Sequence, residues 1–542
     1  MNRIAVMNSI NPTRRDFIRA VSAAVASLAS QGCSNTVESL DSIKRRKRPN
    51  ILLAISDDQS WPYTCAYGSR IVKTPVFDRI AQEGILFTHG YCPAPQCSPS
   101  RAALLTGRNI WQLEEAGVHC GYFPTKFKVY PDYLEDAGYH AGYTGKGWSP
   151  GNWKDAGRKR NPAGPSYNKR KIKPPTKYIS NIDYAGNFED FLEKRPEGKP
   201  FCFWYGGREP HRAYEEGAGL RSGKKLAHKE VPVFLPDNDV VRSDMLDYAF
   251  EIEWFDTHLG RMVQMLEEKG ELDNTLIIVT SDNGMPFPRA KANLYDKGTH
   301  VPLAIRWGEV VSGGRTVKDF VSFIDFAPTF LAAAGLNPPP EMTGRNLMNI
   351  LTSKKSGWVD AKRDYVLTGM ERHNHARPDN VGYPCRTIRT REYLYIRNFK
   401  PDRWPVGDPP NYFGQTKHEN PTKTFLMEHE HDQDTRELFD LSYAKRGDEE
   451  LYAPEKDPDC MFNLAADPDF SVVKKELRVE LERVLLEQKD PRVLGYGDIF
   501  ESYPYFGLMQ EKIPGFKKGG QCNLKYLQKA QSALKKIKAR NN

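Results

Sequence analysis

The run Asn50-Ile51-Leu52-Leu53-Ala54-Ile55-Ser56 carries no charge and stops abruptly at Asp57-Asp58. A continuous apolar run of this length, without polar alternation, predicts a central strand of a parallel sheet, buried on both faces. Phe201-Cys202-Phe203-Trp204-Tyr205 and Thr275-Leu276-Ile277-Ile278-Val279-Thr280 repeat the pattern. Helical stretches lie between them, such as Val76 to Glu83 and Val240 to Lys269. Strands alternating with helices predict an α/β layered fold, and open sheets of this kind gather functional groups at the carboxyl ends of their strands.

Further along, the character of the chain changes near Gly369. Short strand-like pieces, Tyr393–Ile396 and Glu437–Asp440, alternate with Pro-rich loops, and a helix is expected from about Val472 to Gln488. This pattern predicts a small α+β subdomain over 369–542, beside a larger α/β domain over 48–368. The last stretch, Lys517 to Asn542, is basic and reads as a solvated helix or a tail. At 542 residues and 39% apolar content the chain can fill a large core and a smaller second one. The net charge of +9, from 78 Lys and Arg against 69 Asp and Glu, is a thin excess over a long chain. It does not resemble a nucleic-acid-binding module, and polyanionic sugars fit it equally well. Arg158, Lys159, Arg160, Lys169, Arg170, Lys171 and Lys173 crowd a segment of prolines and glycines between Lys154 and Lys177. It reads as a long basic loop, either a solvated insertion or a rim that steers an anionic polymer.

The N-terminus sets Thr13-Arg14-Arg15-Asp16-Phe17-Ile18 before a small, apolar stretch from Ala20 to Ala29. That is the layout of a twin-arginine export signal over 1–33, and it is too short to span a bilayer. Ser30-Gln31-Gly32-Cys33 then places a small residue before a cysteine, as in bacterial lipoproteins, although Ser30 stands where an aliphatic residue is usual. The expected location is therefore periplasmic or cell-surface, with a lipid anchor at Cys33 as one form of it. The other cysteines are scattered without zinc-type spacing, and sequence alone pairs none of them.

Cys97-Ser98-Pro99-Ser100-Arg101 leads into Ala102-x-Leu104-x-Thr106-Gly107, with Pro near the first turn of a helix and Gly just past its end. Cys97 is thereby placed at the positive end of a helix, where unpaired N–H groups favour an anion, with Arg101 one turn on along the same face. The pattern resembles the signature of the type I sulfatases of the alkaline-phosphatase superfamily, in which this cysteine is oxidised to formylglycine by a generating enzyme. The likeness runs over most of 49–470. Asp57-Asp58 is similar to the family's metal-binding pair and Ser281-Asp282-Asn283-Gly284 to its second metal segment. Lys291-Ala292-Asn293-Leu294-Tyr295-Asp296, followed by Gly298, is similar to the lysine motif that follows.

The resemblance implies a large mixed, mostly parallel sheet sandwiched by helices. It also implies a calcium ion held by Asp57, Asp58, Asp282, Asn283 and the oxygen of modified Cys97, an all-oxygen shell suited to that hard cation. One hydroxyl of the hydrated aldehyde would attack sulfur, and the alcohol or amine would leave. Loss of the second hydroxyl's proton would then expel sulfate. Arg101, Lys146 and Lys291 would neutralise charge on the nucleophile and the sulfate oxygens, and His211 in Glu209-Pro210-His211-Arg212 would protonate the leaving group. Gly145-Lys146-Gly147-Trp148 has tryptophan where many relatives carry a second histidine. Either His211 then supplies the proton alone, or another residue such as His375 reaches in, with Trp148 left to stack on a sugar ring instead.

Within the family, Thr280–Pro288, Asn293–Tyr295, Tyr383–Arg386 and Asn463–Pro468 resemble the heparan N-sulfatase branch most, which implies N-sulfoglucosamine of heparan-type glycans as substrate. An O-sulfatase of algal polysaccharides such as ulvan or carrageenan, a phosphonate or phosphate-ester hydrolase of the same superfamily, and a sugar-binding protein without catalysis are the alternatives. The sequence leaves the oligomeric state open, a homodimer included.

Overall fold

A computed structural model describes residues 47–228, 230–409, 412, 420–507 and 521–541. The export signal and Cys33 lie outside the described residues, as does part of the basic C-terminal stretch.

The strands of the first part of the chain are β1 (Asn50–Ser56), β2 (Ile85–Phe87), β3 (Gly90–Tyr91), β4 (His140–Gly145), β5 (Phe201–Gly206), β6 (Thr275–Ser281), β7 (Leu303–Arg306), β8 (Arg315–Val317) and β9 (Val321–Ser322). Seven of them form one sheet in the order β4-β5-β1-β6-β7-β2-β8, while β3 pairs with β9 alone. The four strands from β4 to β6 run parallel, and antiparallel β7 makes the sheet mixed. All three apolar runs quoted above are strands, and β1 is buried at every position.

The principal helices are α1 (Pro75–Glu83), α2 (Cys97–Thr106), α3 (Tyr130–Asp136), α4 (Tyr184–Lys194), α5 (Asp239–Glu268), α6 (Phe326–Ala333), α7 (Arg436–Tyr443), α8 (Ser471–Glu487) and α9 (Leu524–Asn541). Leu52 and Ala54 of β1 share one core with Phe77 and Ile80 of α1, Phe188 and Phe191 of α4, and Leu259 and Met262 of α5. On the other face, Arg101 of α2 lies over Trp204 of β5, and Tyr130 of α3 packs on Phe330 of α6. Because both faces are covered, the strands have no polar face, and polar residues are confined to their ends.

Beyond residue 364 a second sheet, β10 (Tyr365–Met370), β11 (Cys385–Thr390), β12 (Leu394–Asn398) and β13 (Glu449–Tyr452), runs antiparallel throughout. The helix expected from Val472 is α8, and α9 accounts for most of the basic C-terminus. Glu437–Asp440, read from sequence as strand-like, lies instead inside α7. There Phe439 and Tyr443, four residues apart, stack on one helix face with ring centroids 5.0 Å apart, a contact that extended chain cannot make.

This sheet packs on the first part of the chain rather than standing apart. Arg386 of β11 is wholly buried, pairs with Glu371 and Asp490 at 2.7 Å each, and lies over the ring of Trp111. Trp111 and Asn109 in turn donate to the side chain of Gln488, just past α8. Replacing one partner of a buried ion network strands the others, at a cost of about 3–5 kcal/mol. Arg386→Met is therefore expected to lower stability by that amount in urea unfolding. A loss under about 1 kcal/mol would show that the network contributes little to docking the sheet.

Candidate active site

β1 and β6 pair in register up to Ser56 and Ser281, so their next residues emerge side by side. Asp282 N–H donates to Ser56 O (3.0 Å), and Asp58 N–H donates to Asp282 Oδ1 (3.1 Å). Asp58 has φ 73°, in the left-handed region, a costly conformation for a residue with a side chain. Asp57, Asp58 and Asp282 are all buried. Asn283 completes the group, its amide N–H donating to Asp282 Oδ1 at 2.6 Å while its own Oδ1 is buried without a hydrogen-bond partner.

Cys97 is the first residue of α2, as the placement of Pro99 and Gly107 predicts, and Gly107 closes the helix at φ 67°. Its Sγ lies 3.4 Å from Asp57 Oδ1, 4.0 Å from Asp58 Oδ1 and 3.8 Å from Asn283 Nδ2. One ligand atom from each of Asp57, Asp58, Cys97 and Asp282 falls within 4.8 Å of all the others, so the four could hold one ion. Burial and the neighbouring Asp57 charge push the Cys97 thiol up.

Three cations surround the carboxylates. Arg101 Nε donates to Asp282 Oδ2 at 2.7 Å, Lys146 pairs with Asp57, and Lys291 pairs with Asp58. Burial works to raise the Asp57 carboxyl, but Lys146 first, with Arg101 and Lys291, holds it well below the usual range. Asp58 and Asp282 are instead raised, by burial and by the Asp57 charge. Lys146 follows β4 through Gly145, which has φ 74° and where a Cβ would meet Gly206 O at 1.9 Å. His211 Nδ1–H donates to Arg212 O (2.6 Å), which turns Nε2 toward Asp58 Oδ2, 3.8 Å away. Burial and the Lys291 ammonium push His211 down to about 4, so at neutral pH the imidazole is uncharged. A cleft of about 640 Å³ opens over Asp57, Lys146 and His211.

Every expected metal-binding residue, together with Cys97, Lys146, His211 and Lys291, thus comes together at one point. Arg101 is fully buried, its Nη1 donating to the carbonyl oxygens of Lys146 and Gly147 while its Nη2 has no hydrogen-bond partner. His375 is not brought to the cluster. It is 1% exposed, and burial and then the Arg372 charge push it down. Nor can Trp148 stack on a sugar. It is wholly buried, edge-on to Phe123, with its indole N–H donating to Ser98 O at 3.0 Å.

Two residues that sequence reading missed lie beside the site. His119 and His373 face each other with ring centroids 4.3 Å apart, and Lys291 lowers both, after burial as the main cause. Cys120 N–H donates to Ser98 Oγ (3.2 Å), which fixes His119 near the start of α2. No spacing in the sequence links position 119 to position 373, so only the fold could reveal this pair.

A mixed α/β sheet carries, at the ends of its strands, a buried acidic cluster that faces a cysteine at a helix start and could hold a metal ion. The sulfatase family profile matches residues 49–336, and that of the N-sulphoglucosamine sulphohydrolase C-terminal region matches 289–412. The chain belongs to the sulfatase family, and it is a hydrolase of sulfate esters or sulfamates. An ulvan-active sulfatase of Formosa agariphila is 25% identical over 482 residues, covering 83% of this chain and 76% of that protein. The human N-sulphoglucosamine sulphohydrolase is 27% identical over 518 residues, covering 84% and 94%. A structure solved in complex with its substrate D-glucosamine-2-N,6-O-disulfate shares the fold, with a TM-score of 0.60 at 22% identity over 82% of this chain and 99% of that one.

The buried position of Trp148 is open to test. Trp148→Ala is expected to destabilise the protein by about 3–5 kcal/mol, as for other large core deletions. A variant with unchanged melting temperature and a several-fold higher KM would return the ring to the substrate.

Proposed function

We propose that the protein removes sulfate from sulfated carbohydrate with formylglycine at position 97 and a bound calcium ion, and that N-sulfoglucosamine of heparan-type glycans is its substrate. The observation that carries this reading is the position of Cys97 Sγ, 3.4 Å from Asp57, at the start of a buried helix among carboxylates. The donor set fits the cation. Asp57, Asp58, Asp282 and Asn283 offer only hard oxygens, Asn283 Oδ1 is an orphaned buried acceptor, and a cation would favour the charged forms of Asp58 and Asp282 that burial now disfavours. Bound there, calcium supplies Lewis acidity toward the sulfate and the nucleophile. Oxidised Cys97 would supply, as its hydrate, an oxygen nucleophile and a second hydroxyl whose deprotonation rebuilds the aldehyde and releases sulfate from the first.

The remaining work falls to side chains of this chain. Lys146 and Lys291 both act electrostatically on Cys97 and offset the charge of the sulfate oxygens, while Arg101 holds Asp282 in place. His211 is neutral in the free site. An anionic sulfate beside Nε2 opposes the Lys291 charge and favours the imidazolium, which can then protonate the departing nitrogen or oxygen.

The reading of a sulfamate substrate draws on the human relative and the matched C-terminal region. The ulvan-active relatives favour a second reading, an O-sulfatase of algal polysaccharide. Export by the twin-arginine signal to the periplasm or cell surface, with lipidation at Cys33, is part of the same proposal. It places the enzyme where polysaccharide fragments arrive.

Sulfate release is to be measured on heparin-derived N-sulfoglucosamine, ulvan fragments and carrageenan fragments, with Cys97→Ala as control. Release from the first alone, abolished in the folded variant, is the expected result. Near-normal turnover by Cys97→Ala defeats the nucleophile assignment, and release from ulvan alone moves the substrate to the second reading. For the metal, calcium at a hundredfold excess over its Kd is expected to add about 2.7 kcal/mol of stability by mass action. Asp57→Asn with Asp282→Asn should erase that increment. Equal melting temperatures in calcium and in chelator would remove the cation from the scheme.

A further inference from the structure

One wall of the cleft is built by the segment between β4 and α4, where Asn161, Asn168, Tyr178 and Ser180 line it. This is the basic loop, and the structure divides its cations into two sets. The arginines turn back to carboxylates, Arg158 and Arg160 to Asp132 of α3, and Arg170 to Glu189 and Asp190 of α4. Lys154, Lys159, Lys169, Lys171 and Lys173 are exposed and have no carboxylate partner among the described residues. The arginines pin the loop to two helices, and the lysines are left to solvent.

The unpaired lysines are not scattered. Residues 170–172 pair antiparallel with 181–183, Ile172 N–H donating to Asn181 O (2.8 Å) and Asp183 N–H to Arg170 O (3.1 Å). Side chains alternate across such a strand, and next-but-one residues share a face about 6.5–7 Å apart. Only Lys171 lies in the bridge itself, but exposure alternates along the segment: Lys169, Lys171 and Lys173 are exposed, Arg170 and Ile172 are half-buried, and Arg170 is tied to α4. The same segment leads to Tyr178, 48% exposed at the cleft with Lys177 Nζ 4.9 Å from its ring centre, an apolar platform beside a charge.

We propose that Lys169, Lys171 and Lys173 form a rail for an anionic glycan that runs out of the cleft, so that the substrate is an oligosaccharide carrying sulfate or carboxylate groups beyond the one removed. This rests on the reading of the site given above. A single exposed lysine on an anion contributes little, but several along one chain act together, because each further contact is intramolecular. The rail is screened by salt, since none of it is buried.

The test is direct binding of a fluorescein-labelled dextran sulfate oligosaccharide, followed by anisotropy, with neutral dextran as blank. The variant Lys169→Gln, Lys171→Gln, Lys173→Gln is compared with Lys535→Gln, Lys536→Gln, Lys538→Gln on α9, which removes the same charge elsewhere. At about 0.05 M salt the rail variant is expected to bind about fivefold more weakly than the parent, and at about 0.5 M the two should converge to within about twofold. The α9 variant should match the parent throughout. Unchanged binding by the rail variant, or equal weakening by both variants, overturns the proposal. Sulfate release from a monosulfated sugar should be the same in the parent and the rail variant. If neither releases sulfate from any substrate while the rail still binds dextran sulfate, the function fails and the rail stands.

Discussion

Three buried carboxylates within a few ångströms of one another are the constraint around which this protein is arranged. The parallel pairing of β1 with β6 forces Asp57, Asp58 and Asp282 together at one sheet edge, where water cannot solvate them. Charges of like sign at that separation in a poorly solvated interior repel strongly unless compensated. Compensation arrives from three separate elements: Arg101 from α2, Lys146 from the end of β4, and Lys291 from the loop after β6. Each cation lies far in sequence from the acid it meets, so the site exists only when the whole sheet has formed.

Backbone is bent to serve the same point. Asp58 and Ala292 adopt positive φ although neither is glycine, and Gly145 takes a conformation in which any side chain would strike β5. Residues held in such regions persist where the surroundings over-determine them, and they cluster at functional sites. Here all three adjoin the acidic cluster or the two lysines that neutralise it.

Much of this was legible from residues 50–58 and 275–283, because a strand buried on both faces has a signature in sequence and its end is marked by the first charges. The start of α2 was legible for a similar reason, since Pro99 and Gly107 punctuate a helix locally. What failed had no local signature. Trp148 carries an amphipathic ring that suits a sugar as well as a core, and only its contact with Ser98 O decides between them. Glu437–Asp440 is too short for its periodicity to tell strand from helix, and the pairing of Phe439 with Tyr443 settles it.

The charge balance explains why an anionic ester is the natural guest. Asp57, Asp58 and Asp282 are matched by Arg101, Lys146 and Lys291, three charges against three, so the protein groups alone leave the site near neutrality. Under the proposed function a divalent cation makes it positive, and the two lysines beside Cys97 then face a site short of negative charge. A sulfate monoanion with a deprotonated nucleophile restores the balance, whereas a neutral ester would leave the excess uncompensated in a buried place. On the same reading, burial and then the Lys291 charge disfavour the His211 imidazolium, and the entering sulfate would offset Lys291. Under the proposed function the substrate would thereby arm its own proton donor.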